Sequence, residues 1–270
     1  MKFARVNNIT LHYQVDGALS GKPVLVFANS LGTDFRIWDA VVSDLSCDFT
    51  VVRYDKRGHG LSELGAPPYS MDDHVSDLAV LLDHLKFSNA IICGLSVGGM
   101  IAQGLYLARP DLVSALVLCD TGHKIGTADM WQERIAALEA DGLPSMVDAV
   151  MARWFTPAFR KTDNPVYMGC RAMLARQDLA GYTGTCAAIA TTDMTDCIGT
   201  VRVPVLCVVG DQDLATPPAL VRELSELIPS ARYVEVEGAG HIPCVEQPER
   251  LVRALRSFFI NNSILQAVNE

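Results

Sequence analysis

Five short runs, PVLVFA (23–28), FTVVRYD (49–55), AIICG (90–94), VSALVLCD (113–120) and PVLCVVGD (204–211), are rich in aliphatic or β-branched residues on both faces. A strand of that kind must be covered on both sides, which is how the buried strands of a parallel sheet read. Between and after these runs, apolar periodicity predicts helices over 35–45, 70–85, 97–108, 217–228 and 248–260. The second opens with Ser70 and Asp73 in capping-box spacing and sets Val75, Leu78, Ala79, Leu82 and Leu85 on one face. Residues 9–15 instead alternate apolar and polar side chains, the pattern of an antiparallel, half-exposed strand. Strand and helix therefore succeed each other in the order of an α/β fold, with a mostly parallel central sheet and helices on both faces.

That rhythm breaks after Asp120. From 127 to 196 the chain holds helical stretches such as ADMWQERIAALEADG and PSMVDAVMARWF and no convincing strand, and strand signals return at Val203. The expected organisation is one core domain built from 1–126 and 197–270, with 127–196 inserted as a helical cap. The tail NNSILQAVNE is expected to fray.

A formal net charge of −9 and the lack of clustered Lys and Arg argue against nucleic acid or an anionic membrane as partner, since both are held by basic patches. A small molecule is the expected partner; if it is anionic, a local cation must hold it. Several of the eight cysteines lie inside apolar runs, Cys93, Cys119 and Cys207 among them, where a free thiol behaves as a small buried hydrophobe. No C-x-x-C pair, H-E-x-x-H or Cys/His cluster has metal-ligand spacing. The N-terminus lacks a long apolar signal segment, and no run approaches the roughly 18 apolar residues of a spanning helix. A soluble, cytoplasmic protein is expected; oligomeric state is not fixed by these features.

Gly94-Leu95-Ser96-Val97-Gly98 is a G-x-S-x-G motif lying where a buried strand stops and a helix starts. That junction is what a nucleophile elbow requires, although Gly-rich strand-to-helix turns also serve packing or phosphate binding. A serine hydroxyl needs a base to take its proton and a carboxylate to orient that base. His241 is the best candidate, in a Gly-rich loop after the last strand signal at 233–236. His12 sits in the alternating strand and His74 and His84 in a helix, where packing or surface roles account for them. GDQDLATPP offers Asp211 and Asp213 just after a buried strand; Asp213, further into the loop, is the candidate acid, and Asp211 a brace for the turn. An oxyanion hole is expected from the backbone N–H groups of Val97 and of Leu31 in the Asn29-Ser30-Leu31-Gly32 loop. In DKRGHGLS, the glycines suggest a tight turn in which Asp55, Arg57 and Ser62 bond to one another, with His59 structural.

The order Ser96, Asp213, His241 is that of the α/β-hydrolases, which the chain resembles from LHYQVDG through RYDKRGHGLS and GLSVGG to GDQDLATPP and GAGHIPCVEQPE. Within that family, FANSLGTDFRIWD, RGHGLS, DMWQERIAAL, ARWFTP and GYTGTCAAI resemble the 3-oxoadipate enol-lactonases of bacterial aromatic-compound breakdown. Asn29-Ser30 departs from the His-Gly of many α/β-hydrolases in the direction of this narrower group. The resemblance implies a serine triad without metal or organic cofactor, opening an enol-lactone that bears a carboxymethyl arm. Arg134, one helical turn from Trp131, and Arg153, beside Trp154, are candidates to hold that carboxylate, though helix-surface arginines are more often solvated. Trp131 is either a roof over the pocket or a packing residue, and Ser30 either bonds substrate or closes a turn on its own backbone. Other readings on the same scaffold are a small-ester carboxylesterase, a carbon–carbon bond hydrolase, a cofactor-free perhydrolase and a slow-turnover ligand receptor.

Overall fold

The computed structural model describes residues 1–18, 21–229 and 231–266. Its strands are β1 (Lys2–Val6), β2 (Ile9–Asp16), β3 (Val24–Ala28), β4 (Thr50–Tyr54), β5 (Ala90–Leu95), β6 (Val113–Cys119), β7 (Val205–Gly210) and β8 (Ala231–Val236). They form one eight-stranded sheet in the order β1-β2-β4-β3-β5-β6-β7-β8. The β1–β2 and β2–β4 pairs are antiparallel and all the others parallel. Every residue of β4, β5 and β7 is buried, so helices cover both faces, as the aliphatic runs require.

Between and after the strands lie α1 (Asp39–Leu45), α2 (Met71–Leu85), α3 (Val97–Ala108), α4 (Ala128–Asp141), α5 (Val147–Trp154), α6 (Pro165–Ala175), α7 (Leu179–Ala190), α8 (Pro218–Leu227), α9 (Pro243–Glu246) and α10 (Pro248–Asn261). Helix α1 packs with α10, and α2 with α3. The capping box at α2 is formed in full: the Ser70 hydroxyl accepts from the Asp73 N–H, and the Asp73 carboxylate accepts from the Ser70 N–H. The four helices α4–α7 all fall between β6 and β7, with α4 packed on α7 and α5 on α6.

The structure departs from the sequence reading in three places. The helix expected over 35–45 opens as a 3-10 turn, Phe35–Trp38, because the Asp34 carboxylate accepts from the Arg36 N–H and tightens the start. Strand β1 was not foreseen: only Ala4 and Val6 of its five residues point inward, too weak a pattern by itself. It exists because Asn7 and Asn8, at φ 43° and 63°, make the tight left-handed turn that folds it onto β2. Strand β2 is also more covered than half-exposed, since His12 is buried between the rings of Phe3 and Phe35 and bonds Asp55 through Nδ1 at 2.8 Å. All eight cysteines are free thiols. Among the described residues no helix is long and apolar enough to cross a membrane. Of the tail expected to fray, residues 267–270 lie outside the described residues.

Candidate active site

Ser96 joins β5 to α3 with φ 57° and ψ −121°, a strained conformation for a residue with a side chain. Its N–H donates to the Cys119 carbonyl at 3.0 Å and its own carbonyl accepts from Thr121 Oγ1 at 2.7 Å, so β6 and the loop that follows it hold the strain in place. The flanking glycines are required by contact. A Cβ on Gly94 would collide with the Gly98 carbonyl oxygen, and one on Gly98 with that of Ala28. Backbone cannot yield as a side chain can, so Gly98→Ala is expected to cost roughly 1–3 kcal/mol through overpacking. A denaturant melt with its midpoint unchanged from the parent would refute this.

His241 and Asp213 approach from the ends of β8 and β7. His241 Nδ1 lies 2.9 Å from Asp213 Oδ2, and both side chains are buried. Thr216 Oγ1 donates to the same oxygen at 2.7 Å, while the N–H groups of Ala215 and Thr216 bond Asp213 Oδ1 at 2.7 and 3.1 Å. Burial alone would raise the Asp213 carboxyl, but His241 beside it and these hydrogen bonds hold it below the ordinary carboxylate value. A carboxylate that accepts from Nδ1–H orients the ring as the acid of a catalytic triad does. Asp211, by contrast, accepts from the Gly238 and Ala239 N–H groups at 2.8 and 3.2 Å and braces the turn, as expected. The His241 N–H donates to the Trp154 carbonyl at 2.8 Å, tying this loop to α5.

Asp120, at the end of β6, was missed by the sequence reading. Its carboxyl lies in one cluster with Asp213 and His241, accepting from the Gly210 N–H at 2.8 Å. Burial, then the charge of Asp213, pushes it well above the ordinary carboxylate range, toward the neutral acid. Carboxylate, carboxyl and imidazole together could in principle hold a cation. The His241 nitrogen facing Asp213 is already bonded, however, and a protonated Asp120 is a poor ligand.

The 29–32 loop is fixed from several sides. Asn29 Nδ2 donates to the Tyr54 carbonyl at 2.9 Å and its Oδ1 accepts from Trp38 Nε1 at 3.0 Å. The Gly32 N–H donates to His59 Nε2 at 3.1 Å; burial drives the pKa of His59 well below its usual value, keeping that nitrogen an acceptor. Among the described residues the Leu31 and Val97 N–H groups donate to no protein acceptor, which leaves both available as donors. Around the neighbouring turn, Asp55 and Ser62 do bond locally, through the Leu61 N–H at 3.0 Å and the Asp55 carbonyl at 2.6 Å. Arg57 does not. Its guanidinium reaches α2 and grips buried Asp77 through two bonds of 2.7 Å, because the nearer carboxylate, Asp55, is already filled.

A cavity of about 210 Å³ gathers Ser30, Leu31, Ser96, His241, Trp131, Arg134, Arg153, Trp154 and Tyr182. That is below the roughly 300–1,000 Å³ of sites for drug-sized ligands, so the occupant is small. No hydroxyl bond of Ser30 to its own backbone is formed among the described residues, which leaves its Oγ to the cavity. Trp131 donates through Nε1 to the Ile125 carbonyl at 2.6 Å and presents its ring to the same space. The two arginines differ. Arg153 spends Nε and Nη2 on the Leu214 and Ala215 carbonyls at 3.2 and 3.4 Å. Arg134 lies over the rings of Trp131 and Tyr182, 5.5 and 5.7 Å from their centroids, and donates to Tyr182 Oη at 2.5 Å. Its Nε is buried without a partner. Tyr182 and Thr216 were also missed: both lie inside the quoted segments GYTGTCAAI and GDQDLATPP, but neither residue type singles itself out there.

The chain matches the Alpha/beta hydrolase family over residues 17–254 and belongs to it. It is a hydrolase whose sheet and helices have that family's fold. More narrowly, it is 33% identical to 3-oxoadipate enol-lactonase 2 of Acinetobacter baylyi, over 93% of each chain. It is 30% identical to 3-oxoadipate enol-lactonase 1 of the same organism, over 92% of each. The crystal structure of the enol-lactonase from Burkholderia xenovorans LB400 superposes with a TM-score of 0.92 at 36% identity, covering 96% of this chain and 99% of that one.

Proposed function

We propose that the protein opens 3-oxoadipate enol-lactone to 3-oxoadipate, with Ser96, His241 and Asp213 as its triad. Ser96 Oγ attacks the lactone carbonyl as His241 Nε2 takes its proton, and the Leu31 and Val97 N–H groups receive the oxyanion. The tetrahedral adduct collapses by breaking the ring C–O bond; the enolate leaves, takes the proton and becomes the ketone. Water, deprotonated by His241, then attacks the acyl-Ser96 ester, and the proton returns to Ser96 as the second carboxylate departs. Conjugation stabilises the enolate, so the leaving group asks less of the catalyst than an amine would.

One observation favours this reading over an uncharged ester: the half-buried Arg134, its Nε shut away with no hydrogen-bond partner, on the wall of the cavity that also holds Ser96 and His241. In a chain of net charge −9, a cation on that wall matches a substrate carboxylate. Trp131 and Tyr182 shield it from water and strengthen the pairing.

The test compares kcat/KM on the enol-lactone with and without its carboxymethyl arm. The carboxylated lactone should be preferred in the parent, and Arg134→Ala should lower its kcat/KM by about 30–150-fold, the 2–3 kcal/mol of a charged hydrogen-bonded pair. The same change should leave the arm-less lactone within a few-fold. Arg153→Ala should affect neither by more than about threefold, since its guanidinium serves backbone carbonyls. An equal effect of Arg134→Ala on both lactones would reject the clamp, and preference for aryl acetates would move the assignment to a carboxylesterase.

A further inference from the structure

The mechanism leaves one buried ionisable group unused. Lys56, in the turn after β4, is 1% exposed and directs Nζ to the Ser30 carbonyl at 2.6 Å. Among the described residues it makes no ion pair. An ammonium without a carboxylate partner in the interior is expensive, and an apolar side chain would fill the same space more cheaply. The Ser30 carbonyl does not need it either, since it also accepts from Thr33 Oγ1 at 2.9 Å and the Thr33 N–H at 3.4 Å.

We infer that Lys56 is a positioning residue for the oxyanion hole, acting through the Ser30–Leu31 peptide. That peptide is trans, so its C=O and N–H point in opposite directions from one rigid plane. Pulling the Ser30 oxygen toward Lys56 turns the Leu31 N–H the other way, toward the cavity that Leu31 lines with Ser96. The bond also polarises the amide, and a donor to its carbonyl makes its N–H a stronger donor in turn. A positive charge thus stands one peptide behind the developing oxyanion in a region of low dielectric. His59, bonded to the Gly32 N–H, holds the other side of the loop, and the Lys56 carbonyl accepts from the His59 N–H at 3.0 Å. The inference rests on the reading of Ser96 and Leu31 given above.

Burial lowers the Lys56 pKa to about 7, against the opposing pull of Asp55 and then Asp34. The other titratable or charged groups near it are His59 and His74, both driven down by burial and by the Lys56 charge, and Arg57, whose charge is matched on α2. Activity that uses the ammonium should decline as pH rises through that value. Stability runs the other way. Because the folded pKa lies below the unfolded one of roughly 10.4, the unfolded chain binds more protons between about pH 7 and 10, so stability rises across that window.

The test uses the full chain, p-nitrophenyl acetate read at its isosbestic wavelength, and Lys56→Met, with Ser96→Ala as control. Lys56→Met is expected to lower kcat about tenfold, a misaimed donor costing less than the hundredfold or more of a lost one. KM should stay within about twofold, the decline of kcat above pH 7 should disappear, and Tm at pH 6 should equal or exceed that of the parent. A purely structural lysine would instead lower Tm and leave the pH profile unchanged, and that result overturns the inference. So does parental kcat in Lys56→Met while Ser96→Ala is inactive, an outcome that leaves the triad reading standing. Turnover retained by Ser96→Ala removes both. If Lys56→Met does not fold, the parent's own profile decides: with no decline in kcat between pH 7 and 9, the inference fails.

Discussion

Ser96→Ala is expected to lower kcat on the enol-lactone by about 10⁴-fold or more, with a melting temperature within a few degrees of the parent. In the proposed mechanism the hydroxyl supplies the covalent step, and the Tyr182 phenol in the same cavity is held neutral by burial, its pKa near 12. Retained stability follows from where the elbow's bonds lie. The contacts fixing φ at 57° are made by the backbone N–H and carbonyl of Ser96, which alanine keeps. Mass spectrometry after phenylmethylsulfonyl fluoride provides a second reading, a sulfonyl adduct on the parent and none on the variant. Turnover within about tenfold of the parent would remove Ser96 from its role.

Asp213→Asn should lower kcat by a comparable factor, about 10⁴-fold, with KM little changed because Asp213 does not line the cavity. An amide at that position can donate to His241 Nδ1, which moves the ring proton to Nε2 and leaves nothing to accept the Ser96 proton. The substitution also has a pH signature in stability. With its folded pKa held below the unfolded value, Asp213 contributes stability that is complete above roughly pH 4 and is lost as pH falls through the folded pKa. The parent should therefore lose more stability than the variant on acidification, measured by urea unfolding at pH 7 and pH 3. A kcat within tenfold of the parent would point to Asp120, the neighbouring carboxyl, as the acid that orients His241.

The elements that were legible in the sequence are those whose cause is local. Helix α3 was bounded at Val97 and Ala108 by apolar spacing after a glycine turn, and it forms over those residues. The Ser70–Asp73 box marked the start of α2 for the same reason, since capping is a bond across three residues. Strand β1 was illegible because its burial depends on a hairpin partner and on what covers the sheet edge, not on its own five side chains. Arg57 was read as a turn residue because Asp55 is its sequence neighbour; its partner, Asp77, is twenty positions away on α2.

The same division runs through the site. Ser96, Asp213 and His241 each follow a strand or turn that announces them, and their order along the chain carries the rest. Spacing could not choose between Arg134 and Arg153. Both are arginines beside a tryptophan on a helix, and what separates them is that α5 brings Arg153 to two loop carbonyls whereas α4 against α7 sets Arg134 over Trp131 and Tyr182. Asp120 and Lys56 escaped for a related reason. A carboxyl at a strand end and a lysine in a turn look solvated in sequence; three-dimensional packing removes their water and sets them beside His241 and the Ser30 carbonyl. Local hydrophobic pattern and turn chemistry therefore determine the scaffold and the order of its reactive groups. Which charges are desolvated, and what they face, depends on contacts between segments that lie far apart along the chain.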